Sequence, residues 1–213
     1  MNKYIDHTFL GSAGEKDAVK KLCREAKKFG FASVCVNPAE VELAAKLLGK
    51  SGVAVCTVVG FPIGQNLPSV KAYEALCAIH SGATELDFVV NQRLLKYNPE
   101  ACFEELEMLV KVCREASDGL VLKLILECCN LTDDEKRLGC RLAKKAGFDF
   151  VKTSTGFGSS GATVKDVKLM RRAVGKRMGV KAAGGIRTAE AAAAMLAAGA
   201  TRLGCSCGTK IVK

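Results

Sequence analysis

Two patterns of apolar and polar positions alternate along this chain. Short, almost wholly apolar runs such as Val53-Ala-Val-Cys-Thr-Val-Val59 and Leu120-Val-Leu-Lys-Leu-Ile-Leu126 read as strands. Between them, amphipathic segments predict helices over 15–29, 38–48, 68–81, 99–117, 132–146, 163–175 and 188–198. Asn37-Pro38 and Asn98-Pro99 place proline at a helix start behind a capping residue, and Thr132-Asp-Asp-Glu135 reads as a capping box. One phrase recurs, a helical segment ending in glycine and followed by a short apolar strand. It appears around Gly30, Gly82, Gly147 and Gly199. The separations are long for one strand–helix pair and right for two, and further strands fill the intervals at Val53–Val59, Leu120–Leu126 and Met178–Ala182. With a first strand at Lys3–Thr8 the total is eight. Regular β-then-α alternation implies a parallel sheet. Eight repeats in 213 residues imply a single-domain (β/α)8 barrel of the TIM type over 1–213, rather than an open doubly wound sheet. In such barrels chemistry collects at the C-terminal ends of the strands.

Composition narrows the partners. The chain is 49% hydrophobic with few aromatics, so its core is built from Ala, Val and Leu, which suits tight helix-on-strand packing. The net charge of +10 raises the question of nucleic acid. The basic residues, however, lie in scattered pairs such as Lys20-Lys21, Lys27-Lys28, Lys144-Lys145 and Arg171-Arg172 on predicted helices, and read as solvated faces. No basic tail or aromatic-interleaved patch appears, so no nucleic-acid partner is expected. The excess positive charge suits a small phosphorylated substrate. Eleven cysteines and only two histidines, without a CxxC, argue against a metal site, and the cysteines read as small buried hydrophobes in a reducing cytosol. No secretory leader is expected, and apolar stretches such as 191–198 are too short to span a bilayer. A cytoplasmic protein with no membrane partner is therefore expected.

The candidate chemistry lies at the predicted strand ends. Phe150-Val-Lys-Thr-Ser-Thr-Gly-Phe157 puts a lysine where an apolar strand meets a Thr/Ser/Gly turn. A lysine in a partly apolar site loses hydration, and its neutral amine attacks carbonyls to form a Schiff base. A second lysine, Lys181, sits in the same setting within Val180-Lys-Ala-Ala-Gly-Gly-Ile-Arg187. The two strands are neighbours, ~5 Å apart, and a nearby cation is expected to lower an amine's pKa. Asp87 ends the fourth strand and offers a carboxylate for proton transfer. Asp6 and Thr8 share a face of the first strand, Cys35 lies on the second, and Lys123 and Glu127 are offered by the fifth. For Asp6 and Lys123 a structural ion pair and a functional role stand equally open. Gly184 and Gly185 after the seventh strand, and Gly204 and Ser206 at the eighth, fall where barrels commonly bind phosphate, with Arg187 close by; Thr155 and Gly156 follow Lys152 in the turn.

The pair Lys152-Thr-Ser-Thr-Gly-Phe157 and Lys181-Ala-Ala-Gly-Gly-Ile-Arg-Thr188 resembles the deoxyribose-phosphate aldolase family. Agreement continues through Ile5-Asp-His-Thr8, Val34-Cys-Val-Asn-Pro38, Val59-Gly-Phe-Pro62, Glu85-Leu-Asp87, Leu122-Lys-Leu-Ile-Leu-Glu127 and Arg202-Leu-Gly204, nearly the whole chain. The resemblance implies a class I aldolase that needs no cofactor and cleaves 2-deoxy-D-ribose 5-phosphate to acetaldehyde and D-glyceraldehyde 3-phosphate. It implies Lys152 as the Schiff-base lysine, with Lys181 and Asp87 relaying protons. Gly156, Gly184, Gly185 and Ser206 match positions around the phosphate, and Asp6, Thr8 and Cys35 match positions lining the pocket. It also implies a homodimer or higher homo-oligomer. Two other readings are open to the residues alone. One is a sugar-phosphate isomerase or epimerase on the same barrel, which leaves two buried lysines without a task. The other is a nucleic-acid-binding protein, motivated only by the charge.

Overall fold

The computed structural model of the protein describes residues 1–212. Eight parallel strands, β1 (Ile5–Phe9), β2 (Ser33–Val36), β3 (Ala54–Val59), β4 (Glu85–Val89), β5 (Val121–Ile125), β6 (Phe150–Lys152), β7 (Gly179–Ala183) and β8 (Arg202–Cys205), pair in sequence order, and β8 closes on β1. Around them run α1 (Ala18–Phe29), α2 (Val41–Leu48), α3 (Pro68–His80), α4 (Gln92–Tyr97), α5 (Pro99–Ala116), α6 (Asp133–Ala146), α7 (Val164–Val174), α8 (Ala189–Ala197) and α9 (Gly208–Ile211). The predicted (β/α)8 barrel is the observed fold. No helix among the described residues is long and apolar enough to cross a membrane.

The boundaries follow from local chemistry. Gly30 and Gly147 adopt the left-handed conformation (φ 62° and 95°) that stops α1 and α6 and turns the chain into the next strand. At the start of α6 the capping box is complete: the Thr132 hydroxyl accepts from the Glu135 N–H, and the Glu135 carboxylate accepts from the Thr132 N–H. Thr132→Ala should lower stability by about 1 kcal/mol, read as a shift in urea midpoint without a change in its slope. An unchanged midpoint would show that the cap contributes nothing. The helices α4 and α9 have no counterpart among the predicted elements, because six and four residues are too few to display an amphipathic period. The α4 start does carry a signal, since the Asn91 side chain accepts from the Leu94 N–H. The first strand begins at Ile5 rather than Lys3, because residues 2–4 form a 3₁₀ turn. The helix predicted from residue 38 likewise opens with a 3₁₀ turn before α2 begins at Val41.

The distribution of apolarity across the strands positions the site. Residues pointing outward, among them Ile5, Val34, Val55, Leu86, Phe88, Leu122, Leu124, Val151, Val180 and Leu203, pack with the inner faces of the helices into one large core. The inward face is different. Parallel strands present register partners on the same side. The pairs Lys152↔Lys181, Lys181↔Arg202, Asp6↔Gly204, Asp87↔Lys123, Cys56↔Glu85 and Cys35↔Cys56 therefore all face the barrel interior. Where barrels of this kind usually fill their interior with branched apolar side chains, this one places charge there. The paired basic residues of the sequence lie on α1, α6 and α7 and are mostly exposed; Arg171 is an exception, spending its guanidinium on the carbonyls of Gly199, Gly175 and Met178.

Candidate active site

Six charged side chains inside the barrel form a closed ring. Arg202 Nε donates to Asp6 Oδ1 at 2.6 Å, and Asp6 Oδ2 lies 2.6 Å from Lys181 Nζ. Lys181 Nζ donates to Asp87 Oδ2 at 2.7 Å, while Asp87 Oδ1 accepts from Lys123 Nζ at 2.8 Å. Lys123 Nζ reaches Glu85 Oε2 at 2.7 Å, and Arg202 returns to both Glu85 oxygens. The ring holds three cations and three carboxylates, so it is neutral as it stands. Lys152 is a seventh member hung on it, donating to Asp87 Oδ2 at 2.8 Å. Asp6, Asp87, Lys123 and Lys181 are fully buried and Lys152 is 2% exposed. Buried charges persist when they are paired and hydrogen-bonded, which the ring achieves for each of its members.

Pairing also sets the protonation states. Burial would raise the Asp87 carboxyl, but Lys123, Lys152 and Lys181 outweigh it and hold Asp87 well below the usual carboxylate range. Asp6 is likewise depressed, with burial overcome by Lys181, Arg202 and Lys123. For Lys181, burial works downward, while Asp6 and Asp87 prevail and keep the ammonium above its ordinary value. The sequence reading set Lys152 and Lys181 side by side as like charges. The structure inserts Asp87 Oδ2 between them, so the two ammonium groups meet through a shared acceptor. Burial and the neighbouring Cys35 hold the Cys56 thiol well above its usual range, and as a thiol it donates to Asp87 Oδ1 at 3.2 Å. Cys35, Cys56 and Asp87 bring donor atoms within 4.8 Å of one another. With both Asp87 oxygens committed to lysines, that trio is a poor cation site.

Above the ring, at the C-terminal ends of the strands, lies a cavity of about 240 Å³. Of the seven charged groups, Lys152 is the one that lines it. Thr8, Thr155, Gly156, Gly184, Gly185, Arg187, Gly204 and Ser206 also line it, together with Leu10, Phe157 and Ile186. Wider depressions of about 400 and 540 Å³ lie on the outer surface, between α6 and α7 and around Phe150 and Met178, and neither includes a lysine of the ring. Thus the structure brings together the residues singled out in sequence, but in two tiers. Asp6, Cys35 and Lys123 sit in the lower tier, without surface on the cavity: Asp6 and Lys123 are held by the ring, and Cys35 packs with Leu10, Cys56 and Val58. All three point into the barrel but lie below the cavity rather than on its wall, because the depth of a position along its strand is set by the closed barrel's register. Thr155 is at the cavity wall, yet its N–H and its hydroxyl both turn to Glu127. Of the two cysteines flanking Ser206, Cys205 is buried and pushed up to about 12, chiefly by burial, while Cys207 is half-buried. His7 bonds Glu25 at 2.8 Å, and Asp149 bonds Arg114 at 2.8 Å and the Leu122 N–H, which gives both a structural place.

Glu85, Arg202 and Cys56 complete the surroundings and were not selected from sequence, whereas Glu127 was, as a strand-end residue beside Lys123. Glu85 had a signal, since it alternates with Asp87 on one strand and must share its face. Arg202 stands in the same relation to Gly204.

Comparison with known proteins places the chain in context. The profile described as DeoC/LacD family aldolase matches residues 1–213. The chain is 54% identical over 212 residues to the deoxyribose-phosphate aldolase of a Thermoanaerobacter species, covering 99% of this chain and 95% of that protein. It is 53% identical over 210 residues to the deoxyribose-phosphate aldolase of Bacteroides thetaiotaomicron, covering 98% and 87%. Among solved structures it superposes on the deoxyribose phosphate aldolase of Aeropyrum pernix, described as a unique tetramer, with a TM-score of 0.92 and 36% identity over 99% of this chain and 88% of that one.

Proposed function

The chain belongs to the DeoC/LacD family of aldolases, and from that premise we propose that it reversibly cleaves 2-deoxy-D-ribose 5-phosphate to acetaldehyde and D-glyceraldehyde 3-phosphate through a Schiff base on Lys152. One observation carries the choice of nucleophile. The six-membered ring is balanced without Lys152, and Lys152 is the member that faces the cavity. Its ammonium can give up a proton without leaving a carboxylate unpaired, whereas removing the charge from Lys123 or Lys181 breaks the ring.

The free Lys152 amine adds to the C1 aldehyde of the open-chain sugar, and loss of water gives a protonated imine. As the C3 hydroxyl loses its proton, the C2–C3 bond breaks and its electron pair flows into the imine. Glyceraldehyde 3-phosphate departs, leaving an enamine on Lys152. Protonation at C2 and addition of one water then release acetaldehyde and restore the amine, so the water lost in forming the imine is regained. Asp87 Oδ2 touches both Lys152 and Lys181, which supports Lys181 and Asp87 as the pair that takes and returns these protons. Lys123, Asp6, Glu85 and Arg202 act as positioning residues that hold this pair in place. At the other side of the cavity, Gly184 and Gly185 have φ of 85° and 77°, a backbone open to glycine, and with Gly156, Gly204, Ser206 and Arg187 they form the wall suited to the phosphate. Eleven unbridged cysteines agree with a cytoplasmic setting, and the tetramer described for the Aeropyrum pernix aldolase supports a homo-oligomer.

Reduction with borohydride in the presence of acetaldehyde, followed by peptide mass mapping, tests the proposal. A reduced two-carbon adduct on Lys152 is the expected result. An adduct on Lys181 alone would keep the aldolase and reverse the two lysines; folded protein without any adduct would remove the covalent mechanism.

A further inference from the structure

Glu127 has an unusual combination of features. It is the one residue other than glycine among the described residues with positive φ (42°), and its side chain is buried, with 6% exposure. It makes no ion pair among the described residues. Instead its two oxygens are spent on the turn that follows Lys152. Oε1 accepts from the Thr155 N–H at 3.4 Å and from the Cys129 thiol at 3.6 Å, and Oε2 accepts from the Thr155 hydroxyl. That hydroxyl in turn accepts from the Phe157 N–H at 3.0 Å. The backbone turn at Glu127 is pinned as well: Gln92 Nε2 donates to the carbonyls of Leu126 (2.6 Å) and Glu127 (2.8 Å). Glu127 has no surface on the active-site cavity, but this strained residue is held directly against Thr155, which lines it, and strain so placed points to a function rather than to an accident of packing.

The segment that Glu127 grips is the near wall of the proposed phosphate site. A Cβ on Gly158 would come within 2.9 Å of the Glu127 carboxyl carbon, so the loop lies flat against that side chain. At its other end a Cβ on Gly161 would come within 2.2 Å of the Gly184 carbonyl oxygen, and the Ala162 N–H bonds the carbonyls of Ala183 and Gly184. The loop is therefore wedged between the end of β5 and the glycines that follow β7. The polarity of the Glu127 contact is also specific. The Thr155 N–H and O–H both donate to Glu127, one to each carboxylate oxygen, and a carboxylate presents acceptors alone to the two of them.

We infer that Glu127 is a positioning residue for phosphate recognition: acting through Thr155, it fixes Gly156 and Phe157 against the Gly184-Gly185 turn and so gives the enzyme its preference for a phosphorylated over a neutral sugar. The inference rests on the proposed Schiff-base reaction and phosphate wall. Glutamine keeps the shape of Glu127 but turns a donor toward the Thr155 hydroxyl, and loss of a charge-assisted buried bond corresponds to about tenfold or more in affinity.

The test compares 2-deoxyribose 5-phosphate with 2-deoxyribose in wild type, Glu127→Gln and Thr155→Val. The expected result for Glu127→Gln is a KM for the phosphorylated sugar raised about tenfold or more, with a loss in kcat/KM at least about fivefold larger than the loss for the neutral sugar. Thr155→Val should reproduce that selectivity change, and the double variant should add little to either, since one linkage is being cut twice. If Glu127→Gln does not fold, Thr155→Val alone carries the same comparison. Equal losses on both sugars would reduce Glu127 to a structural role, and an unchanged KM would overturn the inference outright. Wild-type protein that traps no acetaldehyde on Lys152 would instead bring down the reading on which it rests, and the inference with it.

Discussion

Lys152→Leu should lower kcat by about 10⁴-fold or more, the scale on which covalent catalysis fails when its nucleophile is removed. The variant should remain folded. Removing the seventh charge leaves Arg202, Lys181 and Lys123 against Asp6, Glu85 and Asp87, so no partner is stranded in the interior. Activity is read by coupling glyceraldehyde 3-phosphate to a reductase, and folding by thermal melting. A melting temperature within a few degrees of wild type, with turnover gone, is the expected pair. Turnover within about tenfold of wild type would remove Lys152 from the chemistry. A protein too unstable to assay would show instead that Lys152 belongs to the structural ring.

Asp87→Asn should damage both stability and turnover, because Asp87 is the acceptor that three lysines share. The interior would then hold four cations against two carboxylates. Breaking a buried ion pair on one side costs about 3–5 kcal/mol, and losing a positioned proton-transfer group costs about 10²–10⁴-fold in rate. The fall should appear in kcat more than in KM; a change confined to KM would contradict the relay. Acid titration adds a second readout. In the folded state Asp87 is held well below the ordinary carboxylate value of about 3.9. The stability it supplies is therefore fully present above that value and is lost as pH falls through the folded pKa. Asp6, depressed in the same way, acts over the same window. The stability of Asp87→Asn should accordingly fall less steeply between about pH 4 and 2 than that of wild type. Lys181 acts at the opposite end: its raised folded pKa supplies stability present below the ordinary lysine value of about 10.4 and lost as pH rises through the folded value. Equal acid slopes in the two proteins would mean that Asp87 is not the charge on which the ring depends.

These expectations rest on features that the chain discloses unequally. The eight strands were legible because the strand and helix periods differ, and because glycine at 30 and 147 marks a helix end in a way no other residue does as readily. Lys152, Lys181 and Asp87 stood out because a charge in an apolar strand needs a reason, and parity alone put each of them on the inward face. The short α4 and α9 were missed because local pattern needs more residues than they contain. Arg202 and Glu85 were passed over because a charge near a strand start looks solvent-facing until the barrel closes around it.

The sequence by itself determined the order of elements, the parallel barrel, the inward parity of the lysines and the glycine turns at the strand ends, since all of these depend on neighbours a few positions apart. Only the tertiary structure decided which charge answers which. The ring joins Asp6 to Arg202 and Asp87 to Lys181, pairs 196 and 94 residues apart, and their 2.6 and 2.7 Å contacts exist because the closed barrel sets the strand register and the depth of each side chain. That register leaves Lys152 as the surplus cation at the cavity floor, and it swings Glu127 onto the turn beside it. Pairing at such range has no local signature, because its energy arises only when distant residues are held together and water is shut out.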